Sequence, residues 1–385
     1  MKLPNMSRRR WLQVSGGTLI AGALGSRLSG QAATTAAEPA AAPEPSLIAR
    51  YPDLKYINLA GNENPHGPST AVTQAIFQAA PDSCRYPWRE ESILRDDIAA
   101  IEGVQRENIV LGNGCDEILG LSGFAYGQPG AKLVATKPTY LWLMECAEKL
   151  GAHVEWVPHR EKDMKHDLDA MAAQVDTSTS LVYVCNPDTP SGTRHEPGAI
   201  ETFIRRITPG TTVFLDEVYL DLDDTFRQQT MVPLVREGLP LIIGRSFSKM
   251  HGLAGHRLGY AVTTPEIAER LEHFKMSSPN WIGVAAARAS LRDRRFHQLS
   301  RRLIREERER FTQLVQELGL KYTPSYGNFV FHEIKMPIRD YEAAMKEEGL
   351  IVGRPFPPYE DWCRTSIGNR KEMAACERAM RKIFA

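Results

Sequence analysis

Residues 244–260, GRSFSKMHGLAGHRLGY, set one lysine between two hydroxyls and ahead of a run of glycines. Lys249 is flanked by Ser246 and Ser248, and Gly252, Gly255 and Gly259 follow it, with Arg257 eight positions on. An amine in such a turn is positioned, and desolvation or a neighbouring cation can lower its pKa until it forms a Schiff base with a carbonyl. A surface lysine in an ordinary loop is the plain alternative, so the other polar clusters decide. Asp216-Glu217-Val218-Tyr219 closes the apolar run 212–215 and sets a carboxylate and a phenol at a strand end. An ionised carboxylate there can keep a heteroaromatic nitrogen protonated. Gly112-Asn113-Gly114-Cys115-Asp116 opens the apolar-periodic run 118–124. Unpaired N–H groups and the positive end of a helix dipole make such a turn a phosphate site.

These clusters need a frame. Short β-type runs at 57–59, 109–111, 132–135, 180–184, 212–215 and 241–244 alternate with helical patterns. That alternation predicts an α/β fold with a mainly parallel sheet, its site at the carboxyl ends of the strands. A helix is expected over 69–79 with Ser69 as N-cap. From about Pro279 the character shifts to a long charged helix, 296–318. Its arginines (Arg301, Arg302, Arg305, Arg308, Arg310) read as a solvated face paired with Glu306, Glu307 and Glu309. Lys321-Tyr322 and residues 328–331 read as strands of a smaller domain.

The chain has 385 residues, with 47 Lys+Arg against 47 Asp+Glu. Its length allows two domains, and the charge balance gives no nucleic-acid footprint. Cys84, Cys115, Cys146, Cys185, Cys363 and Cys376 form no CxxC pair and no metal-ligand spacing, so they read as mostly buried small hydrophobes and no metal is expected from them. Ser7-Arg8-Arg9-Arg10-Trp11-Leu12-Gln13, the Gly/Ala-rich run 14–24 and an Ala-rich stretch to Pro45 resemble a twin-arginine signal, the route by which folded proteins are exported. The apolar run is too short for a spanning helix. Periplasmic localisation through the twin-arginine export machinery is the expectation, with cleavage near Gln31-Ala32-Ala33.

Taken in order, the motifs resemble those of pyridoxal 5′-phosphate (PLP) aminotransferases of class I/II, fold type I, and most closely the histidinol-phosphate aminotransferase branch. The resemblance runs from about residue 50 to 385. It implies a signal and linker over 1–45, an arm with part of the small domain over 46–80, a large cofactor domain over 81–280 and a small C-terminal domain over 281–385. By resemblance Lys249 is the Schiff-base lysine and proton carrier, Asp216 faces the pyridine nitrogen, and Tyr219 bonds the ring hydroxyl. The turn amides at Gly114, Cys115 and Asp116, with Ser246, Ser248 and Arg257, hold the cofactor phosphate. Tyr140 of Pro138-Thr139-Tyr140 stacks on the ring, and Trp142 reads as core or supporting.

Arg85-Tyr86-Pro87 resembles a segment that reaches the neighbouring subunit's cofactor phosphate, implying a homodimer with a shared site; the plain alternative is a tyrosine packed in its own subunit. Gly61-Asn62-Glu63-Asn64-Pro65 resembles a loop over the site mouth, with Asn64 toward substrate, and Tyr326-Gly327-Asn328-Phe329 a turn facing it. Arg364 of Trp362-Cys363-Arg364-Thr365-Ser366 matches the arginine that clamps the substrate carboxylate. Arg354 can take a second anionic group, although its surroundings differ from the phosphate-using pattern.

One departure stands out. In Asn186-Pro187-Asp188-Thr189-Pro190-Ser191-Gly192, Thr189 occupies the place of an asparagine that bonds the ring hydroxyl, and threonine has a shorter reach. The expected activity is amino-group transfer from an L-amino acid to a 2-oxo acid. The alternative is a decarboxylase or oxygen-using oxidase on the same scaffold, acting on a cationic amino acid paired with Asp188 or Glu63. A catalytically silent binding protein is disfavoured, since it would not need Lys249, Asp216, Tyr219, Arg257 and Arg364 together.

Overall fold

The computed structural model describes residues 56–385. The twin-arginine segment, the linker and the expected start of the mature chain near Ser46 lie outside those residues. No helix among the described residues is long and apolar enough to cross a membrane.

A seven-stranded sheet carries the larger unit, in the order β2-β8-β7-β6-β5-β3-β4. The strands are β2 (Ile109–Gly112), β3 (Lys132–Lys137), β4 (His153–Pro158), β5 (Thr179–Cys185), β6 (Thr212–Asp216), β7 (Leu241–Ser246) and β8 (Gly259–Thr263). All pair in parallel except β8, which runs antiparallel to both β7 and β2. Buried on both faces, these strands read as near-continuous apolar runs. Their side chains nevertheless alternate between two cores. Val182, Val184, Val213 and Leu215 join one, whereas Leu181, Tyr183, Cys185 and Phe214 join the other.

The first core is capped by α1 (Thr70–Ala79), α2 (Trp88–Glu102), α6 (Pro197–Ile207) and α8 (Trp281–Arg292). The second takes α3 (Cys115–Tyr126), α4 (Trp142–Lys149) and α7 (Pro265–Glu272), while α5 (Leu168–Ala173) follows β4. Ser69 caps α1 as expected, its Oγ accepting from the Val72 amide at 3.2 Å. Because Val72, Val284, Ala286 and Ala287 all belong to the first core, α1 and α8 pack with the large sheet. The sequence boundaries at 80 and 281 had put them with the small domain.

A third core joins Leu59 to residues of α9 (Arg294–Glu317), α10 (Ile338–Glu347), α11 (Arg370–Ile383) and two small sheets. In those sheets β1 (Ile57–Asn58) pairs in parallel with β10 (Leu350–Ile351), and β9 (Phe329–Glu333) pairs antiparallel with β11 (Trp362–Ser366). Residues 321–322 form no strand, only an isolated bridge from Tyr322 to His332. The arginine face of α9 is not simply solvated. Arg301 and Arg305 reach Asp224, Arg301 also donates to the Asp221 carbonyl, and Arg308 donates to the Gly327 carbonyl. Within the helix, Arg302 pairs with Glu306 at i,i+4 and Arg310 with the buried Glu307 at i,i+3, as expected of that face. Five cysteines are buried and Cys84 is exposed.

Candidate active site

The parallel strands β5, β6 and β7 deliver the site at their carboxyl ends, with antiparallel β8 beside them. β6 ends on Asp216, which pairs with Cys185 of β5 on one side and Gly244 of β7 on the other. The turn after β5 carries Thr189, and the turn after β7 carries Ser248 and Lys249. Opposite Ser246 stands Gly259 of β8, so Arg257, two residues earlier, lies over the β7 end.

At the head of α3 the backbone turns through Gly114 at φ +85°, and a Cβ there would sit 2.3 Å from Nη2 of Arg257. Only glycine lets the guanidinium approach the helix N-terminus so closely. Arg257, itself in the left-handed region at φ +50°, donates to the Asp116 carboxylate at 2.5 Å. Ser246 Oγ accepts from the Ser248 amide at 3.0 Å. A helix N-terminus, an arginine and two small hydroxyls form an anion cradle. Tyr140 differs from its expected role in part: its hydroxyl donates to Asp116 at 2.8 Å, tying the ring to this cradle. Trp142 is no core residue; it is 38% exposed, under the Lys149 ammonium.

Asp216 is 2% exposed, and its carboxylate accepts from the Tyr183 hydroxyl at 3.0 Å and the Val218 amide at 3.3 Å. Burial pushes it up to about 7 against those two donors. A buried carboxylate with so few donors calls for a cation, and a protonated ring nitrogen is one. Lys249 is pulled down to about 8, first by burial and then by the Arg364 guanidinium. Its Nζ lies 3.5 Å from the Gly61 carbonyl and 5.4 Å from the Tyr219 ring centre. Burial pushes Tyr219 up to about 12, with Arg364 and Asn62 opposing. The anion cradle, the carboxylate at the β6 end and the lysine together fit pyridoxal phosphate, with phosphate, ring nitrogen and carbonyl each matched.

Arg364 donates from Nη1 to Thr189 Oγ1 at 2.9 Å and from Nη2 to the Ala60 carbonyl at 2.7 Å. Thr189 thus accepts from the arginine and keeps its own proton to donate. Arg354 is exposed, with its guanidinium 4.5 Å from the Phe356 ring centre; Arg364 lies 5.0 Å from the same ring. Two cations therefore converge on one aromatic at the small-domain side.

Two expected substrate contacts are corrected. Asn64 is buried and donates to the Met250 carbonyl and Ser300 Oγ while accepting from the His66 amide, so its amide is fully used inside the protein. Asn328 Nδ2 donates to the carbonyls of Asn62 and Glu63, which fixes the arm and leaves no donor for substrate. The asparagine the sequence reading missed is Asn62. At φ +51°, it donates to the Tyr219 hydroxyl at 2.9 Å and accepts from Ser366 Oγ. An asparagine beside Gly61 was a signal for left-handed backbone, but its partner lies 157 residues away.

Asp188 does not face the substrate side. Its oxygens receive Thr139 Oγ1, Ser191 Oγ and His166 Nε2, and it is 1% exposed. Burial would raise its pKa, but His166 and His159 outweigh it and hold the carboxyl well below its usual range. Asp188 is therefore not the partner for a cationic substrate that the sequence allowed.

Tyr86 is 76% exposed and stacks on Trp88 at 5.1 Å between ring centres. With Met276 and Ser277 they line an open surface groove, and Ser277 Oγ accepts from Asn113 of the cradle turn at 3.3 Å.

A parallel-sheet fold with a lysine, a carboxylate and an anion cradle at its strand ends defines a transaminase scaffold that uses pyridoxal phosphate. The family described as aminotransferase class I and II matches residues 55–383. The chain is 37% identical over 333 residues to a histidinol-phosphate aminotransferase of Moorella thermoacetica, covering 86% of each chain. It is 35% identical to histidinol-phosphate aminotransferase 2 of Ralstonia nicotianae, over 86% of this chain and 89% of that one. The solved histidinol-phosphate aminotransferase from Sinorhizobium meliloti, in complex with pyridoxal 5′-phosphate, superposes with a TM-score of 0.79 at 28% identity, covering 90% of this chain and 95% of its own. The chain belongs to the class I and II aminotransferases and is a PLP-dependent enzyme that moves amino groups between amino acids and 2-oxo acids.

Proposed function

We propose that this transaminase acts on an L-amino acid whose carboxylate is held by Arg364, with Lys249 as the cofactor-binding and proton-moving residue. The convergence of Arg364, from β11, on Lys249 and Asp216 at the carboxyl ends of the central strands carries this reading. Bound PLP supplies an electron sink for the bond broken at the substrate Cα. Asp216 would hold the proton on the ring nitrogen of the bound cofactor. Arg364 can turn its fork from Thr189 and Ala60 toward a carboxylate, a bidentate match that lysine lacks. Lys249, with its amine near 8, is poised to take a proton from Cα and return it at neutral pH. Thr189 and Tyr219 would hold the ring hydroxyl of the bound cofactor. Arg354, beside Phe356, supports a substrate with a second anionic group, and histidinol phosphate belongs among those to be tried.

The exposed Tyr86–Trp88 pair beside the cradle turn supports a homodimer in which Tyr86 completes the partner's phosphate site. The paired Arg8 and Arg9 support folded export to the periplasm. Replacing both with lysine should leave the enzyme in the cytoplasmic fraction, and unchanged export would remove that reading.

The deciding experiment is an anaerobic absorbance titration of the holoenzyme with L-glutamate, L-aspartate, neutral and cationic L-amino acids, and histidinol phosphate. Bleaching of the yellow band that a 2-oxo acid restores is the expected result. Turnover that appears only with oxygen would overturn the assignment to amino-group transfer.

A further inference from the structure

Two histidines and an aspartate that amino-group transfer does not use meet behind the Thr189 turn. His159 lies just past β4, His166 just ahead of α5, and Asp188 in the turn after β5. One donor atom from each lies within 4.8 Å of the others. Nε2 of His166 is 3.0 Å from Asp188 Oδ1, and Nε2 of His159 is 3.2 Å from Oδ2. All three residues are buried.

The two histidines are not alike. His166 forms a true hydrogen bond to the carboxylate. His159 does not, since despite the short distance neither ring nitrogen has a hydrogen-bond partner, and its side chain is wholly inaccessible. A buried imidazole whose Nε2 faces a carboxylate without a hydrogen bond and whose Nδ1 has no partner is costly. Its Nε2 nevertheless lies 3.2 Å from Asp188 Oδ2, a separation that two ligands of one ion can share. Around the carboxylate, Thr139 donates to Oδ1 at 3.0 Å and Ser191 to Oδ2 at 2.7 Å. Outer hydrogen bonds of this kind orient metal-binding carboxylates. With metal–ligand bonds of about 2.0–2.2 Å and near-tetrahedral angles, donors should sit roughly 3.3–3.6 Å apart; each imidazole lies 3.0 or 3.2 Å from its own carboxylate oxygen, and all three donors lie within 4.8 Å of one another. Two imidazoles and one carboxylate select zinc over magnesium or calcium, which take mostly oxygen donors.

We propose that His159, His166 and Asp188 form a buried zinc site, with water completing the coordination. The cysteines gave no reason to expect a metal, because these donors are histidines brought together from separate loops. The ion would pin the end of β4 and the approach to α5 to the turn that presents Thr189 to Arg364. It would also brace Tyr359, whose ring stacks on His159 at 6.3 Å.

The test uses holoenzyme purified from zinc-supplemented culture and washed with a weak chelator. Metal analysis should find stoichiometric zinc, and added zinc should raise the Tm of chelator-stripped holoenzyme. His159→Gln and His166→Gln should each lower zinc affinity at least about tenfold, the floor seen on losing even an outer hydrogen-bond partner of a metal ligand. Cys84→Ser, at the one exposed thiol among the described residues, should change nothing. Zinc K-edge absorption on the wild-type protein should show a nitrogen and oxygen shell, which decides the matter even where a variant does not fold. Wild-type protein that neither retains zinc nor gains Tm from it overturns the proposal. So does zinc retained undiminished in both folded histidine variants, or a sulfur shell.

Discussion

Removing the Asp216 charge should change how the cofactor-free protein responds to pH. Burial moves this carboxyl from 3.8 to about 7. A folded-state pKa above the unfolded value means that stability is fully present below the unfolded pKa and is lost as pH rises through the folded one. The window for Asp216 is therefore pH 4 to 7, with stability falling as pH rises across it. Each tenfold step is about 1.4 kcal/mol, so the interval corresponds to roughly 4 kcal/mol as a ceiling. Asp221 is also pushed by burial to about 7 and contributes in the same window. The informative quantity is thus the difference between wild type and Asp216→Asn, in which the Asp221 share cancels. Urea unfolding of both apoproteins at pH 5 and pH 7.5 measures it. Asp216→Asn should gain on wild type by a few kcal/mol on going from the lower to the higher pH, and restoring the cofactor to wild type should flatten its slope. Parallel pH profiles for the two apoproteins would refute the view that Asp216 is an under-partnered carboxylate awaiting a ring cation.

Arg364→Lys replaces a fork by a point charge and should lower kcat/KM for carboxylate substrates about 10- to 150-fold, the equivalent of one charge-assisted hydrogen bond of about 1.5–3 kcal/mol; steady-state kinetics with a matched amine lacking the carboxylate should show no such loss. Tyr86→Phe should weaken cofactor binding about 2- to 10-fold, as for one hydrogen bond, with Tm of the apoprotein unchanged because the substitution keeps the ring and its stack on Trp88. A drop in apoprotein Tm with cofactor affinity intact would instead make Tyr86 a residue of its own subunit. Ser69→Ala removes the α1 cap and should cost about 1 kcal/mol, read as a small fall in the urea midpoint at constant slope.

What was legible in the sequence was local. The turn at 112–116, the carboxylate at 216 and the lysine at 249 each carry their signal within a few residues of a strand end, and the fold sets those ends side by side. β4 and β8 were not read as strands. HVEWVP on the sheet edge mixes polar and apolar residues, and GYAVT follows an arginine in left-handed backbone. Long-range pairing defeated the rest. Nothing near Asn64 announces Ser300, nothing near Asp188 announces His159 and His166, and Arg301 and Arg305 of α9 have helical neighbours yet choose Asp224. These partners lie far along the chain, so the choice among them is tertiary.

The arm from β1 to Asn64 starts in the small-domain core and ends against the lysine turn, touching both ends of the chemistry on the way. Ala60 lends its carbonyl to Arg364, Gly61 lies beside Lys249, and Asn62 holds the Tyr219 hydroxyl. Under the proposed role of Arg364, a carboxylate arriving there would displace the Ala60 carbonyl, and that release would act on a backbone whose next two residues border the amine and the phenol. Recognition and reactivity thus share one inextensible cord. An amine without the carboxylate leaves the cord slack, so discrimination between substrates should show as much in turnover as in binding.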